Sequence, residues 1–143
     1  MSQSTAERSA QAMWANDRAS QLLGMEILEV GPGRAVLQMP VGESMVNGLD
    51  VCHGGYIFTL ADSAFAFACN SYNQLTFAQH CAVTFHAPGR LGDRLIATAE
   101  EVTRQGRSGL YDVMVRNGAG DLIASFRGHS RTVMGQHYQE ETE

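Results

Sequence analysis

From Tyr56 to Cys69 the chain runs YIFTLADSAFAFAC, fourteen residues in which Asp62 is the only charge. Alanine is the best helix former, and this length suits four helical turns better than a strand. A helix apolar on every side is expected to be buried on every side. The run is too short for the roughly 18–20 apolar residues of a membrane span. The rest of the chain must therefore wrap it.

The downstream half has the material to do so. Residues 77–86, 94–102, 110–115 and 122–133 read as strands. Turn signals at Pro88-Gly89, Gly92-Asp93, Gly106 and Gly118-Ala119-Gly120 separate them. Their spacing predicts an antiparallel meander, with Asn117 to Asp121 as a hairpin connection. Upstream, 25–30 and 34–39 flank Gly31-Pro32-Gly33 and predict a further hairpin, followed by a loop over 40–51. Residues 4–23 read as an amphipathic helix, with Ser4 and Glu7 as a capping box and Gly24 as its stop. Residues 1–3 and 135–143 are expected to fray as polar ends. The expectation is one α+β domain over 1–143, an antiparallel sheet packed around a central apolar helix.

Charge and cysteines narrow the function. All ten basic residues are arginines, scattered along the chain, and the net charge is −5. No basic block favours nucleic acid. Cys52, Cys69 and Cys81 form an odd set without a pairing pattern, which predicts a reducing, cytoplasmic setting. The start of the chain lacks the apolar stretch of a signal peptide. The His and Cys spacings match no zinc pattern, so no metal is expected. Cys52 beside His53 offers a nucleophile reading, which is not favoured here. Phe58, Phe65 and Phe67 read as core or pocket lining.

Asp62 stands out chemically. A carboxylate inside an apolar helix costs several kcal/mol unless something bonds it. Its near neighbours in sequence offer only Thr59 and Ser63. Either it bonds a loop backbone across the core, or it does chemistry. The start of the same helix is the second feature. Cys52-His53-Gly54-Gly55 places glycines where free N–H groups and the positive end of the macrodipole lie, an arrangement able to polarise a carbonyl. Asp62 lies eight residues beyond Gly54, about 12 Å along the axis at about 1.5 Å per residue. A base and a polariser must act on adjacent atoms. One helix serves one substrate poorly. Two copies running antiparallel would bring Gly54 of one to Asp62 of the other.

The stretch Asn47 to Ser71, with its pattern N-G-x(4)-H-G-G-x(4)-L-A-D, closely resembles the PaaI-type hot-dog thioesterases of phenylacetate degradation. The resemblance extends to Trp14, Asn16 and Asp17, to His86-Ala87-Pro88-Gly89, to Gly109–Asp112 and to Phe126-Arg127-Gly128. It implies a hot-dog fold, dimers paired into tetramers, and hydrolysis of aryl-acetyl-CoA thioesters such as hydroxyphenylacetyl-CoA. Coenzyme A would be part of the substrate, and no separate cofactor would be needed. Asp62 would match the catalytic carboxylate, as general base or nucleophile. Gly54 would supply the polarising amide, and Asn47 would place water or thioester from the partner subunit. His53 and Gly55 would shape the binding loop, and Ser63 would support the carboxylate. Gln79 and His80 lie where acyl-pocket residues vary among relatives. Arg90, Arg107, Arg127 and Arg131 are candidates for the CoA phosphates by charge alone. Two alternatives share the fold: a non-catalytic acyl-CoA binder, and a hot-dog dehydratase or hydratase.

Overall fold

The computed structural model describes residues 2–140, Ser2 by its backbone alone. The apolar run forms the long helix α3, Gly54–Cys69, preceded by α1, Ser2–Trp14, and α2, Arg18–Leu22. The strands are β1 Glu26–Gly31, β2 Arg34–Pro40, β3 Thr76–Phe85, β4 Arg94–Gln105, β5 Ser108–Arg116 and β6 Leu122–Thr132. They form a six-stranded sheet in the order β1-β2-β4-β5-β6-β3, with every neighbouring pair antiparallel.

Alternation along the strands decides which face α3 covers. Leu95, Ala97 and Ala99 of β4 and Tyr111, Val113 and Val115 of β5 are buried, while the residues between them are more exposed. Against them α3 sets Leu60, Ala61, Ala64 and Ala68, all fully buried. Three of these are alanines, so the helix lies close on the sheet. Phe65 fits because β6 carries Gly128 beneath it: a Cβ there would stand 2.8 Å from the ring. The Phe65 ring then packs against Tyr111 and Phe126.

Three expectations need correction. The four downstream strands are not a continuous meander. β4, β5 and β6 follow one another, but β3 pairs with β6 at the far edge, and β4 pairs with β2. Residues 86–93 cross from one side of the sheet to the other, which strand spacing alone does not reveal. The helix expected over 4–23 is two helices. Asp17 caps α2, its Oδ1 accepting the Ser20 N–H at 3.1 Å, and an Asp there stops one helix and starts the next. Because α1 already begins at Ser2, Ser4 lies inside it and is no capping residue.

The tail is the third correction. Over 135–140 it is fastened down, while 141–143 and Met1 lie outside the described residues. Asn73 is fully buried. Its Nδ2 donates to the Tyr138 carbonyl at 3.0 Å and to Glu140 at 3.2 Å. Its Oδ1 accepts the N–H groups of His137 and Tyr138 at 2.9 and 3.2 Å. Arg8 of α1 stacks on the Tyr138 ring, 4.2 Å from its centre. Residue 73 has φ of 57°, which asparagine and glycine tolerate best. An Asn73→Gly substitution keeps that backbone and strips the four bonds. It is expected to lower unfolding stability by about 2–3 kcal/mol and to open the tail to carboxypeptidase. Denaturant unfolding of the two proteins checks this, and an unchanged midpoint would contradict it.

Among the described residues no helix is long and apolar enough to cross a membrane.

Candidate active site

The first turn of α3 is built by the loop before it. Asn47 Oδ1 accepts the N–H groups of Leu49 and Val51 at 2.9 and 3.1 Å, which closes the loop on itself. Val46 and Cys52 pair across it, and the His53 N–H bonds the Met45 carbonyl at 2.8 Å. His53 caps α3 with extended backbone, φ −60° and ψ 138°, and without a side-chain capping bond. No carboxylate or hydroxyl therefore occupies the helix N-terminus. The N–H groups of Gly54 and Gly55 find no acceptor among the described residues, and they carry the positive end of the helix dipole.

Gly54 is glycine for a packing reason as well. The Phe85 ring, at the end of β3, lies so close that a Cβ at 54 would be 2.7 Å from it. A concavity of about 470 Å³ opens beside this contact, lined by Gly54, Ile57, Phe85 and Pro88 among others. A second, of about 650 Å³, lies on the other side of the helix start, against Leu22, His53, Gly55, Tyr56 and Thr59.

Asp62 lies two turns further along α3, half-buried. Its carboxylate meets no hydrogen-bond or ion-pair partner among the described residues. Burial raises its pKa above the ordinary carboxylate value, as expected for a charge without compensation. Its field reaches two thiols. Burial, and after it the Asp62 charge, pushes Cys69 up to about 12, and the same two causes raise Cys81 of β3. Asp62 is therefore within electrostatic reach of Cys81 on β3. Cys52 is also raised by burial, which leaves it a thiol and a poor nucleophile.

The expectation that α3 is buried on every side fails along one stripe. Gly55, Thr59, Asp62 and Ala66 fall within about 60° of the helix circumference at 100° per residue. None of the four belongs to the buried core. Thr59 spends its hydroxyl on the Gly55 carbonyl at 2.8 Å. β3 ends the sheet, and its outer edge has no partner strand among the described residues.

The structure brings Gly54, Gly55 and His53 together at the helix start, with Asn47 in the loop that sets it up. It does not bring Asp62 to them, because α3 is one continuous helix and about 12 Å separates the two turns. Ser63 is engaged on a different flank. Its hydroxyl lies 2.9 Å from that of Ser20, which donates to Asp17 at 2.7 Å, so Ser63 anchors α2 to α3. Of the candidate arginines, Arg127 is held by Asp112 through two bonds of 2.7 and 2.8 Å. Sequence reading missed Phe85. The signal was present in the alternation of β3, which places Cys81, Val83 and Phe85 on one face.

The sequence pattern of the thioesterase superfamily matches residues 49–124. The chain belongs to the thioesterase superfamily. The acyl-coenzyme A thioesterase PaaI of Escherichia coli K12 is 43% identical over 129 residues, covering 90% of this chain and 91% of that protein. A putative esterase of Archaeoglobus fulgidus is 39% identical over 122 residues, covering 85% and 79%. The solved PaaI protein from the phenylacetic acid degradation operon of E. coli superposes with a TM-score of 0.93 at 39% identity, over 95% of this chain and 99% of that one. The thioesterase described here is thus PaaI-like in sequence and a hot-dog protein in fold, and the resemblance noted at Asn47–Ser71 extends over nearly the whole chain.

Proposed function

We propose that this thioesterase hydrolyses acyl-CoA thioesters, with aryl-acetyl groups such as phenylacetyl and hydroxyphenylacetyl preferred, in a site shared by two subunits. The observation that carries the reading is the pair of uncompensated groups on α3. Among the described residues Asp62 is a half-buried carboxylate without a partner, and the Gly54 N–H is a donor without an acceptor. Each lacks what the other's substrate atom would supply.

Three features support the shared site. β3 is an edge strand of ten residues, with Phe77 61% exposed. An unpaired, partly apolar edge of that length invites pairing with a second copy. α3 runs antiparallel to β3, since Gly54 meets Phe85 and the Asn70 side-chain Oδ1 accepts the Thr76 N–H at 2.9 Å. Antiparallel pairing of two β3 edges about a two-fold axis therefore lays two α3 helices antiparallel, open stripe toward open stripe. The Gly54 turn of one subunit then faces Asp62 of the other. Two such dimers would form the tetramer, in a cytoplasmic enzyme.

In this arrangement the Gly54 N–H donates to the thioester oxygen and stabilises the oxyanion. Asp62 takes a proton from water as the water oxygen attacks the carbonyl carbon. The C–S bond breaks, the thiol of coenzyme A leaves with a proton, and the free acid remains. Asn47, with Oδ1 held in its turn, offers its Nδ2 to the water or thioester. His53 and Gly55 border the entrance, and Ser63 holds the Asp62 turn against α2. A hydratase would want a His–carboxylate pair, and His53 and Asp62 sit at opposite ends of two turns.

Release of free thiol from phenylacetyl-CoA, hydroxyphenylacetyl-CoA, octanoyl-CoA and acetyl-CoA tests the proposal, against a control for the protein's own three cysteines. Fastest release from the aryl-acetyl pair supports it. No release from any of the four would overturn it.

A further inference from the structure

We propose that Phe85 selects the acyl group, forming with Gly54 an aromatic wall on which an aryl-acetyl substrate lies. The inference rests on Gly54 as the carbonyl-polarising residue and names what lies next to it. Phe85 ends β3 on the face turned toward α3, and its ring approaches Gly54 as closely as the absence of a Cβ allows. Any acyl group whose carbonyl reaches the Gly54 N–H has this ring as a neighbour.

The adjoining concavity, about 470 Å³, is lined by Val51, Cys52, Ile57, His86, Ala87 and Pro88 as well as the ring. Its size is that of a small-molecule pocket. Apart from His86 and Cys52 the lining is apolar, which suits an apolar acyl group. The ring is 49% exposed, so one face or edge is free to meet a ligand. The backbone beside it is held in place. The next residue, His86, bonds Ser125 Oγ through Nε2 at 2.7 Å and donates its N–H to the Ile123 carbonyl at 2.8 Å. A half-open ring beside the reacting carbonyl favours an aryl group through edge-to-face or offset contact. A straight chain gains little from that geometry.

The test compares the parent with Phe85→Ala and Phe85→Leu by kcat/KM for phenylacetyl-CoA and octanoyl-CoA. The expected result is a fall of about tenfold in the phenylacetyl-to-octanoyl ratio for Phe85→Ala. Phe85→Leu keeps apolar bulk without the ring, so it guards against a packing effect and should lower the ratio as well. An equal loss on both substrates, or an unchanged ratio in both variants, overturns the assignment while leaving the thioesterase reading intact. A parent that cleaves neither substrate overturns both.

Discussion

Replacing Asp62 with asparagine should abolish most of the thioesterase activity and make the protein more stable. A positioned general base contributes about 10²- to 10⁴-fold, so kcat should fall by at least about a hundredfold on the best acyl-CoA. The stability gain comes from the same desolvation that makes the carboxylate basic. Burial raises the Asp62 pKa in the folded state. Between the unfolded and folded values the native protein binds more protons than the unfolded one, so stability declines as pH rises through that window. At neutral pH the ionised carboxylate is a net cost, which the neutral amide removes. A gain of about 1 kcal/mol at pH 7 is the order seen when a strained functional group is relieved. The difference should shrink as pH falls below the ordinary carboxylate range, where both side chains are neutral. The parent's kcat/KM should also fall on the acid side with an apparent pKa above that of a free aspartate. Thermal melts from pH 4 to 8, set beside CoA-release rates, check all three. A variant that is inactive and also less stable at pH 7 would mean that Asp62 supports the structure.

The second large effect concerns one hydrogen. Gly54 is the first residue of α3, a position where proline is well tolerated. His53 before it already has ψ of 138°, the extended backbone that a following proline requires. Gly54→Pro therefore removes the N–H and leaves the helix in place. It also adds a Cβ, which would press on Phe85 at 2.7 Å, and Gly54→Ala adds the same Cβ while keeping the N–H. The difference between the two isolates the donor. Loss of one oxyanion donor costs about 10²- to 10³-fold in kcat. Gly54→Pro is expected to fall below Gly54→Ala by about that factor, with melting temperatures within a few degrees of each other. Equal activities would remove Gly54 from the chemistry and leave it a packing residue.

Much of this was legible in the residues because it is local. The composition of YIFTLADSAFAFAC is enough for a buried helix, and glycine turns place the hairpins at Gly31–Gly33 and Asn117–Asp121. The charge at Asp62 and the glycines at 54 and 55 point to chemistry before any coordinates. What escaped depends on distant partners. The polar tail reads as frayed because its hold lies in Asn73, more than sixty residues away. β3 reads as the next strand of a meander, yet its pairing is with β6. The break between α1 and α2 was within reach, since Asn16-Asp17 followed by Ser20 is a capping pattern. The uncovered stripe of Gly55, Thr59, Asp62 and Ala66 was hidden for another reason. An all-apolar helix looks buried everywhere, and the spacing of Gly54 and Asp62, which calls for a second copy, does not say which residues of α3 stay uncovered in one chain.

If Gly54 and Asp62 of different subunits serve one thioester, lesions at the two positions should complement each other. Differently tagged Asp62→Asn and Gly54→Pro chains, co-expressed and purified as mixed oligomers, test it by CoA release. In a two-fold dimer of the two variants, one site carries both lesions and the other carries neither. Each parent variant should be nearly inactive and the mixed dimer should recover about half of the unmodified activity. Recovery no greater than either variant alone would place the whole site within one subunit and contradict the account.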